Sequence, residues 1–230
     1  MNSSPIIDVI IPAFNEERSI SKVIAEIPDV VRHIVVANNN STDRTGEVAE
    51  AAGAKVVFEG TKGYGIACLT AMEWIKNQEV QPDIVVFLDG DYSDYPEEML
   101  SLIQPIQEGK ADMVIGSRAL GKRESGSMTL PQVFGNWLAT TLMKYIQGAN
   151  YSDLGPFRAI DWPKLLGLGM VDKNFGWTIE MQIKAHKAGL RYLEVPVNYR
   201  KRIGVSKVSG TVKGVIGAGY KIILTIFKYW

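Results

Sequence analysis

The chain has few of the residues that build disulfide-bonded or exported proteins. Its 230 residues include one cysteine, Cys68, so no disulfide can form within it. The first five residues are mostly polar, and the apolar run at Ile6–Ile11 has the length of a strand rather than of a signal-peptide core. These features predict a cytoplasmic protein. The length and the 46% share of apolar residues predict a single domain over residues 1–230.

A missing motif and a low histidine count limit the possible classes of function. No G-x-G-x-x-G motif follows the first predicted strand, where the sequence reads Pro12-Ala13-Phe14-Asn15, so a dinucleotide-dependent oxidoreductase is not expected. The chain has two histidines, and neither is expected to act in catalysis, because His33 begins a strand and His186 lies within a helix. No nucleic-acid partner is expected.

The net charge of zero hides an uneven distribution. The first 195 residues carry 18 basic and 25 acidic side chains, a net charge of −7. From Pro196 onward there is no acidic residue, and the seven basic residues are Arg200, Lys201, Arg202, Lys207, Lys213, Lys221 and Lys228. Such a segment is typical of a surface that meets phosphate groups or lipid, although a solvated basic helix has the same composition.

Residues 210–230 are predicted to form a C-terminal helix. The 17 residues Gly214–Trp230 are apolar except for two lysines and a threonine, and a bilayer span needs about 20. An amphipathic helix in the membrane interface fits this pattern, with Tyr229 and Trp230 at headgroup level. A helix packed on the protein's own sheet is the alternative. The expected location therefore includes the cytoplasmic face of a membrane.

Apolar runs of strand length alternate with segments of helical periodicity. The predicted strands are Ile6–Pro12, Ile34–Ala37, Lys55–Phe58, Ile84–Leu88, Met113–Gly116 and Tyr192–Val197. The predicted helices are Glu16–Ile27, Asp43–Ala52, Tyr64–Lys76, Pro96–Gln107, Val133–Ile146 and Thr178–Ala188. This α/β alternation is typical of a mainly parallel sheet with helices on both faces.

In such sheets ligands bind beyond the carboxyl ends of the strands. Asp89-Gly90-Asp91 directly follows the buried run Ile84–Leu88, so its two carboxylates are expected at that edge. Hard oxygen ligands in this position suit Mg²⁺ or Mn²⁺, which in turn bridges a diphosphate. A turn in which Asp89 caps a helix is the alternative interpretation.

Further motifs carry a resemblance to a known family over nearly the whole chain. They are Val9-Ile10-Ile11-Pro12-Ala13-Phe14-Asn15-Glu16-Glu17, Ser41-Thr42-Asp43-Arg44-Thr45, Lys62-Gly63-Tyr64-Gly65, Asp89-Gly90-Asp91, Asp112-Met113-Val114-Ile115-Gly116-Ser117-Arg118, Asp153-Leu154-Gly155-Pro156-Phe157-Arg158-Ala159-Ile160, Glu194-Val195-Pro196-Val197 and Arg202-Ile203-Gly204-Val205-Ser206-Lys207. The set resembles the family-two inverting glycosyltransferases, most of all the branch with dolichol-phosphate mannosyltransferase and bacterial polyprenyl-phosphate glycosyltransferases. The resemblance implies the GT-A fold and a metal-dependent hexosyl transfer from a nucleotide-sugar.

The resemblance also implies roles for individual residues. Those implied in donor binding are Pro12, Phe14, Glu16, Asn38, Asn39, Lys62, Asp89, Gly90 and Asp91, of which Asp89 and Asp91 would hold Mg²⁺ or Mn²⁺. Those implied in contacting acceptor phosphate or donor diphosphate are Arg118, Arg158, Arg202, Ser206 and Lys207. Guanidinium groups bind phosphate oxygens through paired hydrogen bonds, which suits this set. Asp91 and Asp153 are the implied catalytic residues.

Three departures bear on specificity. The family usually has two aspartates where this chain has Asn38-Asn39. An amide offers one acceptor and one donor, which matches uracil and favours a UDP-sugar over a GDP-sugar. Ser93 replaces a glutamine near the metal, with Asp94 beside it. Gln132 replaces an arginine, with Lys122 and Arg123 nearby. The identities of the sugar and the acceptor stay open.

The expected reaction is a single in-line displacement at the anomeric carbon, with inversion. If the acceptor is a polyprenyl or dolichyl phosphate, its second pKa of about 6 makes a strong base unnecessary, and Asp153 orients it. If the acceptor is a hydroxyl, Asp153 is the candidate base. Transfer to a soluble hydroxyl acceptor and nucleotide-sugar binding without turnover are the alternatives. Contact with a membrane through the basic C-terminal segment accompanies the lipid-phosphate hypothesis.

Overall fold

Seven strands form one sheet in the computed structural model, which describes residues 4–206 and 212–229. They are β1 Ile7–Ala13, β2 Val31–Asn38, β3 Lys55–Phe58, β4 Ile84–Phe87, β5 Met113–Ser117, β6 Arg158–Asp161 and β7 Tyr192–Pro196. Their order across the sheet is β3-β2-β1-β4-β6-β5-β7. Neighbouring strands are parallel, except that β6 is antiparallel to β4 and β5. The predicted α/β class with a mainly parallel sheet is confirmed.

Helices connect most of these strands. In the described residues they are α1 Ile20–Ala25, α2 Thr45–Ala51, α3 Tyr64–Lys76, α4 Met99–Gln107, α5 Leu130–Leu142, α6 Trp162–Gly167, α7 Trp177–Lys187 and α8 Val212–Lys228. A 3-10 turn at Pro96–Glu98 precedes α4, and a π-helical turn at Met143–Gln147 continues α5. Helix α3 has the predicted bounds, whereas α1 is shorter than Glu16–Ile27. The chain after β1 first forms a turn, in which Ser19 N donates to Glu16 O at 3.0 Å.

The side chains of each strand alternate between two hydrophobic clusters, one on each face of the sheet. On β1, Val9 and Ile11 pack with residues of α1, α2 and α4. Ile10 faces the other way and packs with residues of α3, α5, α7 and α8. All three β1 side chains are fully buried, and each such side chain stabilises the fold by about 1.5–3 kcal/mol. Burial on both faces explains the continuous apolar runs of the sequence.

Strand β6 and helix α6 were not predicted from the sequence. The four residues Arg158–Asp161 begin and end with a charge, so they show neither strand alternation nor a continuous apolar run. The strand forms because its backbone pairs with both β4 and β5. Asp161 then caps α6 by accepting from Lys164 N at 3.0 Å, and Pro163 occupies the first turn.

The C-terminal helix α8 packs on the body of the protein along one face. Ile226 is fully buried, and its carbonyl accepts from Gln147 Nε2 at 2.8 Å. The other face of α8 presents Tyr220, Leu224 and Phe227 to the exterior. One face of α8 therefore packs on the protein, as the alternative interpretation predicts. The opposite face carries an exposed apolar stripe. No helix in the described residues has both the length and the apolar content that a membrane span requires.

Candidate active site

The carboxyl ends of β1 and β4 open into a cavity of about 390 Å³, which we call the donor cavity. It lies where the sheet rule predicts a ligand site, because the loops that follow parallel strands meet at one edge. Most residues that the sequence assigned to the donor come together there. The lining consists of Pro12, Ala13, Phe14, Glu16, Asn39, Lys62, Gly63, Tyr64, Ala67, Asp89, Gly90, Asp91, Asn174, Phe175, Arg202 and Ser206.

Asp89 and Asp91 occupy the floor of the donor cavity with different partners. Asp89 Oδ1 accepts from Tyr64 OH at 3.1 Å. Asp91 Oδ1 accepts from Ser93 N at 2.9 Å and from Ser93 Oγ at 2.5 Å, so its position is fixed. Burial and the neighbouring charge of Asp91 raise the pKa of Asp89 to about 7. A cation bound beside Asp89 would reverse this rise, which makes the pair a favourable place for positive charge.

Asp94 lies beneath this pair as a third buried carboxyl group. It is 2% exposed, and neither of its carboxylate oxygens has a hydrogen-bond partner among the described residues. Burial, together with the charges of Asp89 and Asp91, raises the pKa of Asp94 well above its usual range. Burial without hydrogen-bond partners therefore favours the neutral form of Asp94, because an unpaired buried carboxylate is costly to ionise.

Arg202 reaches into the donor cavity from the chain that follows β7. Its Nη1 lies 3.1 Å from Asp91 Oδ2, and its Nη2 donates to Glu16 Oε1 at 3.1 Å. Its buried Nε has no hydrogen-bond partner among residues 4–206 and 212–229. The guanidinium thus bridges two carboxylates and has further N–H groups for another acceptor, as a diphosphate-binding residue requires.

The residues predicted to meet the base or to bind the donor nearby line the same cavity, except Asn38. The Lys62 ammonium sits 5.0 Å from the centre of the Phe14 ring. The Asn39 amide does not face an open space: its Oδ1 accepts from Gly63 N at 2.8 Å and its Nδ2 donates to Thr61 O at 2.6 Å. Asn38 Oδ1 accepts from Ser41 N at 3.1 Å, and Asn38 is not part of the cavity lining. Both amides therefore hold loops, which corrects the expectation that they present free edges to the base.

Arg118 and Asp153 form a buried pair next to this cavity. Arg118 donates from Nε to Asp153 Oδ2 at 2.8 Å and from Nη2 to Asp153 Oδ1 at 2.6 Å. Burial alone would raise the pKa of Asp153, but the charge and hydrogen bonds of Arg118 outweigh it and hold this pKa below its usual value. Asp153 is thus ionised and fully engaged, which suits orientation of a substrate better than removal of a proton.

A second cavity of about 220 Å³ adjoins Asp153, and we call it the α5 cavity. Its walls come from the loop after β5, from one face of α5 and from the segment before β6; they are Ala119, Arg123, Met128, Val133, Asn136, Trp137, Thr140, Ser152 and Asp153. Asn136 fixes the base of this cavity by donating to Ser152 O at 3.0 Å and accepting from Leu154 N at 2.9 Å. Among the described residues, the Arg123 guanidinium has one hydrogen-bond partner, the Met128 sulfur at 3.5 Å.

Arg158 is not where the resemblance implied. It is 1% exposed on β6, and its guanidinium donates to the carbonyls of Thr178, at 3.0 Å, and of Gly155. It lines neither cavity, so the structure assigns Arg158 to holding the segment before β6 rather than to contacting a phosphate. Ser206 does line the donor cavity, and Lys207 lies outside the described residues.

Several residues of these cavities were not singled out from the sequence as ligand contacts. Tyr64 directly follows the Lys62-Gly63 pair and begins α3. This position next to a predicted donor-binding residue was the sequence feature that could have identified it. Asn174 and Phe175 come from the loop before α7, which is distant in sequence from every predicted strand end. Asn136 and Trp137 lie on α5, whose exposed apolar face was a detectable pattern.

The carboxylates of the donor cavity fit a magnesium or manganese ion that is shared with a diphosphate. Within the described part of the chain, no three His, Cys, Asp or Glu side chains are grouped so as to hold an ion by themselves. In phosphate-transfer sites such ions need only one or two carboxylates, because substrate oxygens and water complete the coordination. Asp91 Oδ2, which already faces the positive charge of Arg202, and Asp89 provide that number.

Comparisons with known proteins agree with this geometry. The family model described as Glycosyl transferase family 2 matches residues 8–161. An uncharacterized glycosyltransferase of Mycobacterium tuberculosis is 33% identical over 227 residues, which cover 97% of this chain and 96% of the relative. A dolichyl-phosphate hexose transferase of Haloferax volcanii is 30% identical over 205 residues, covering 87% and 85%. An undecaprenyl-phosphate mannosyltransferase of Micrococcus luteus is 28% identical over 218 residues, covering 89% and 88%.

Solved structures share the fold. Glucosyl-3-phosphoglycerate synthase from Mycobacterium tuberculosis, in complex with Mn²⁺, UDP and glucosyl-3-phosphoglycerate, superposes with a TM-score of 0.77. The match covers 98% of this chain and 80% of that chain at 22% sequence identity. This likeness confirms the GT-A type of fold.

Proposed function

The chain belongs to glycosyl transferase family 2, and on this basis we propose that it transfers a hexose from a UDP-sugar to a polyprenyl phosphate with inversion. The observation that carries the proposal is the Arg118–Asp153 pair, in which one residue lines the α5 cavity and the other acts on a carboxylate of the donor cavity. Asp153 lines the α5 cavity. Burial and the charge of Asp91 raise the pKa of Asp89, and the positive charge of Arg118 offsets part of this increase. Donor and acceptor would meet across this pair.

The donor cavity supports the binding of a nucleoside diphosphate. Phe14 and Lys62, which contact each other in its lining, would bind the base, and Glu16 lines the same cavity and binds Arg202. Arg202, which lines the cavity, would bind the diphosphate oxygens through its guanidinium. A uridine nucleotide is favoured because the structural neighbour binds UDP. The amides of Asn38 and Asn39 would act by shaping the loops around the base.

Asp89 and Asp91 would hold Mg²⁺ or Mn²⁺, which supplies positive charge to the departing nucleoside diphosphate. The structural neighbour contains Mn²⁺ with UDP, in line with this assignment. Tyr64 and Ser93 keep the two carboxylates in place through their hydrogen bonds. This preorganisation stabilises charge that develops in the transition state, which is commonly the largest contribution to catalysis.

The α5 cavity supports a phosphate-bearing acceptor. Arg123 is free of carboxylate partners in the described structure and faces a space bounded by Asp153 and Trp137. A phosphate dianion held there would attack the anomeric carbon as the bond to the nucleoside diphosphate breaks, and the electron pair would leave with the diphosphate. Since that dianion is already deprotonated, Asp153 would orient Arg118 and the acceptor. Relatives in two organisms act on undecaprenyl or dolichyl phosphate, which agrees with a lipid acceptor.

An exposed apolar surface beside the α5 cavity supports contact with a membrane. Leu130 is 86% exposed, Phe134 60% and Trp137 58%, at helical spacing on α5. Helix α8 packs beside α5 and presents its own exposed stripe. Apolar and aromatic side chains in this arrangement are typical of helices that lie in the membrane interface, and a basic C-terminal segment adds attraction to anionic lipid. The acceptor phosphate would enter from that surface.

A soluble phosphate-bearing acceptor is the second candidate. The solved neighbour carries glucosyl-3-phosphoglycerate, so the same fold accepts a small phosphorylated substrate. Arg123 would serve such an acceptor equally well. The exposed face of α5 favours the lipid, because a small polar acceptor has no use for it.

An assay of nucleoside diphosphate release tests the proposal. The purified chain is incubated with UDP- or GDP-linked hexoses, Mn²⁺ or Mg²⁺, and one of three acceptors: undecaprenyl phosphate in detergent, farnesyl phosphate or 3-phosphoglycerate. We expect metal-dependent UDP release with the two prenyl phosphates and a glycosylated lipid by mass spectrometry. UDP release with 3-phosphoglycerate alone would contradict the proposed lipid-phosphate acceptor. Release from GDP-sugars alone would contradict the proposed UDP-sugar donor. Binding of UDP and Mn²⁺ without release for any acceptor would favour a nucleotide-sugar-binding protein.

A further inference from the structure

The loop between α6 and α7 connects the C-terminal helix with the donor cavity. We call residues 171–176 the α7 loop. Asn174 and Phe175 of this loop line the donor cavity. Its other side contacts α8, so the loop is held between a predicted membrane-facing helix and the proposed nucleotide site.

Asp172 fixes the shape of the α7 loop. Its Oδ1 accepts from Asn174 N at 2.7 Å and from Gly176 N at 3.1 Å, which brackets the two cavity-lining residues. Its Oδ2 lies 3.0 Å from the Nζ atom of Lys221 on α8. The carboxylate that organises the loop is therefore itself held from the C-terminal helix.

A second connection runs through the fully buried Glu180 on α7. Its Oε2 accepts from Asp172 N at 2.7 Å. Its Oε1 accepts from Tyr229 OH, at the end of α8, at 2.6 Å. The α7 loop is thus tied to α8 at two points, and both ties meet at Asp172.

The inner side of the α7 loop packs on the start of α3 so closely that no Cβ atom would fit between them. A Cβ atom on Gly65 would lie 2.0 Å from Asp172 O, and one on Gly63 would lie 2.2 Å from Lys173 O. Lys173 O also accepts from Ile66 N at 3.0 Å. The residue between the two glycines is Tyr64, which hydrogen-bonds Asp89. Close packing of this kind transmits a displacement of the loop to the donor cavity.

We propose that Lys221 and Asp172 are positioning residues of the donor site, which makes α8 a structural part of that site. By holding the α7 loop against α3, the pair sets the affinity of the donor cavity for the nucleoside diphosphate. The inference rests on the proposed function for the identity of the ligand. It assigns the C-terminal helix a role in donor binding that its basic and apolar composition does not suggest.

Lys221→Met tests this inference against a matched control. Lys228→Met removes the same charge from the same helix. In the described structure Lys228 contacts the ring face of Tyr229, whereas the tie to Glu180 is made by the Tyr229 hydroxyl, which the variant retains. For Lys221→Met we expect the donor KM and the Kd for UDP with Mn²⁺ to rise about three- to fivefold, with kcat and the acceptor KM unchanged. Lys221→Arg should restore both constants, and Lys228→Met should leave them at wild-type values. Equal effects of the two methionine variants would overturn the inference, because helix charge alone would then explain them.

Amide hydrogen exchange tests the connection without turnover. Lys221→Met should raise exchange at residues 172–176 and, across the packed interface, at residues 63–66, whereas Lys228→Met should raise neither. Unchanged exchange at residues 63–66 would overturn the inference. If the wild-type chain binds neither UDP nor GDP with Mn²⁺, the proposed function fails. The exchange pattern still decides whether α8 positions the cavity.

Discussion

Arg118 and Asp153 hold each other in a fixed geometry at the wall of the α5 cavity. Besides the two guanidinium contacts, the backbone N–H of Arg118 donates to Asp153 Oδ2 at 2.7 Å. Below them, Glu194 Oε1 accepts from Ser152 N at 2.9 Å and from Asp153 N at 3.2 Å. The pair is therefore supported from the sheet and does not depend on a bound substrate for its position.

Asp153→Asn should destabilise the protein markedly. The substitution leaves the Arg118 guanidinium buried without its counter-charge, for which about 3–5 kcal/mol is typical. Asp112 pairs with Arg191 through similar hydrogen bonds at the surface, so Asp112→Asn is a matched control and should cost about 1 kcal/mol or less. Urea unfolding measures both values.

The pH dependence of the Asp153 effect has a defined sign. Because the folded pKa of Asp153 lies below its unfolded value, its stabilisation is present above a pH of about 4 and is lost as the pH falls through the folded pKa. The wild type should lose its advantage over Asp153→Asn on acidification. A difference that stayed constant from neutral to strongly acidic pH would contradict the assigned shift.

Asp89→Asn should stabilise the metal-free protein while it abolishes turnover. The folded pKa of Asp89, about 7, lies above its unfolded value, so this residue makes stability fall as the pH rises from about 4 to about 7. In EDTA, the melting temperature of Asp89→Asn should exceed that of the wild type by a few degrees at pH 8, with little difference at pH 4. Asp94→Asn should act in the same direction. The folded pKa of Asp94 is also raised, so this carboxyl too lowers stability as the pH rises above about 4, and the variant should melt above the wild type from pH 6 to 8.

Arg123→Gln should weaken acceptor binding without affecting the donor. A lost charge-assisted hydrogen bond to phosphate raises the acceptor KM by about tenfold or more. Lys122→Gln removes the neighbouring exposed charge, which does not line the α5 cavity, and should change the acceptor KM little. Steady-state kinetics with farnesyl phosphate distinguish the two variants. A raised donor KM in Arg123→Gln would place this arginine in the wrong cavity.

Replacing Phe134 and Trp137 by serine should reduce binding to anionic phospholipid vesicles. Each large apolar side chain contributes about 1.5–3 kcal/mol when fully buried, so even partial insertion predicts a loss of about tenfold or more. Phe58 is an equally exposed aromatic residue on edge strand β3, so Phe58→Ser is the matched control. Vesicle co-sedimentation gives both values. Equal losses of vesicle binding in the two proteins would indicate non-specific hydrophobic adsorption rather than a membrane-binding face.

Gly65→Ala should open the contact between α3 and the α7 loop. The added methyl group would collide with the main-chain oxygen of Asp172, and such overpacking costs about 1–3 kcal/mol. Donor affinity should fall with stability. Gly60 lies in the same connection but would meet only the Phe58 side chain at 3.6 Å, so Gly60→Ala should be neutral. Calorimetric titration with UDP and Mn²⁺, next to urea unfolding, measures both effects.

The sequence revealed the parts of the fold that local pattern determines. The first five predicted strands and the helices between them appear in the structure, because burial on both faces of a parallel sheet leaves uninterrupted apolar runs. The loops after β1 and β4 likewise follow from the position of those runs. The apolar pattern alone therefore suffices to place Pro12, Asp89 and Asp91 at one edge of the sheet, where the donor cavity lies.

Other features depend on partners that are distant in sequence. Strand β6 exists because its backbone pairs with β4 and β5, and a short segment that begins with Arg158 shows no sign of this. The same pairing buries that arginine. The sequence predicts Asn39 as a donor contact, but it does not show that the amide is bound to a loop more than twenty residues away while the residue lines the donor cavity. Arg123 became a site candidate once the cavity beside it was visible.

The bridge from Arg202 to Glu16 and Asp91 makes the resting donor cavity largely self-neutralised. A metal ion that arrives alone must displace the guanidinium from Asp91, whereas a diphosphate offers the guanidinium a new partner and releases the carboxylate. Metal and nucleotide should therefore bind with positive heterotropic cooperativity. By thermodynamic reciprocity, UDP must raise the affinity for Mn²⁺ by the same factor by which Mn²⁺ raises the affinity for UDP. Arg202 thus couples the binding of the metal ion to the binding of the nucleotide.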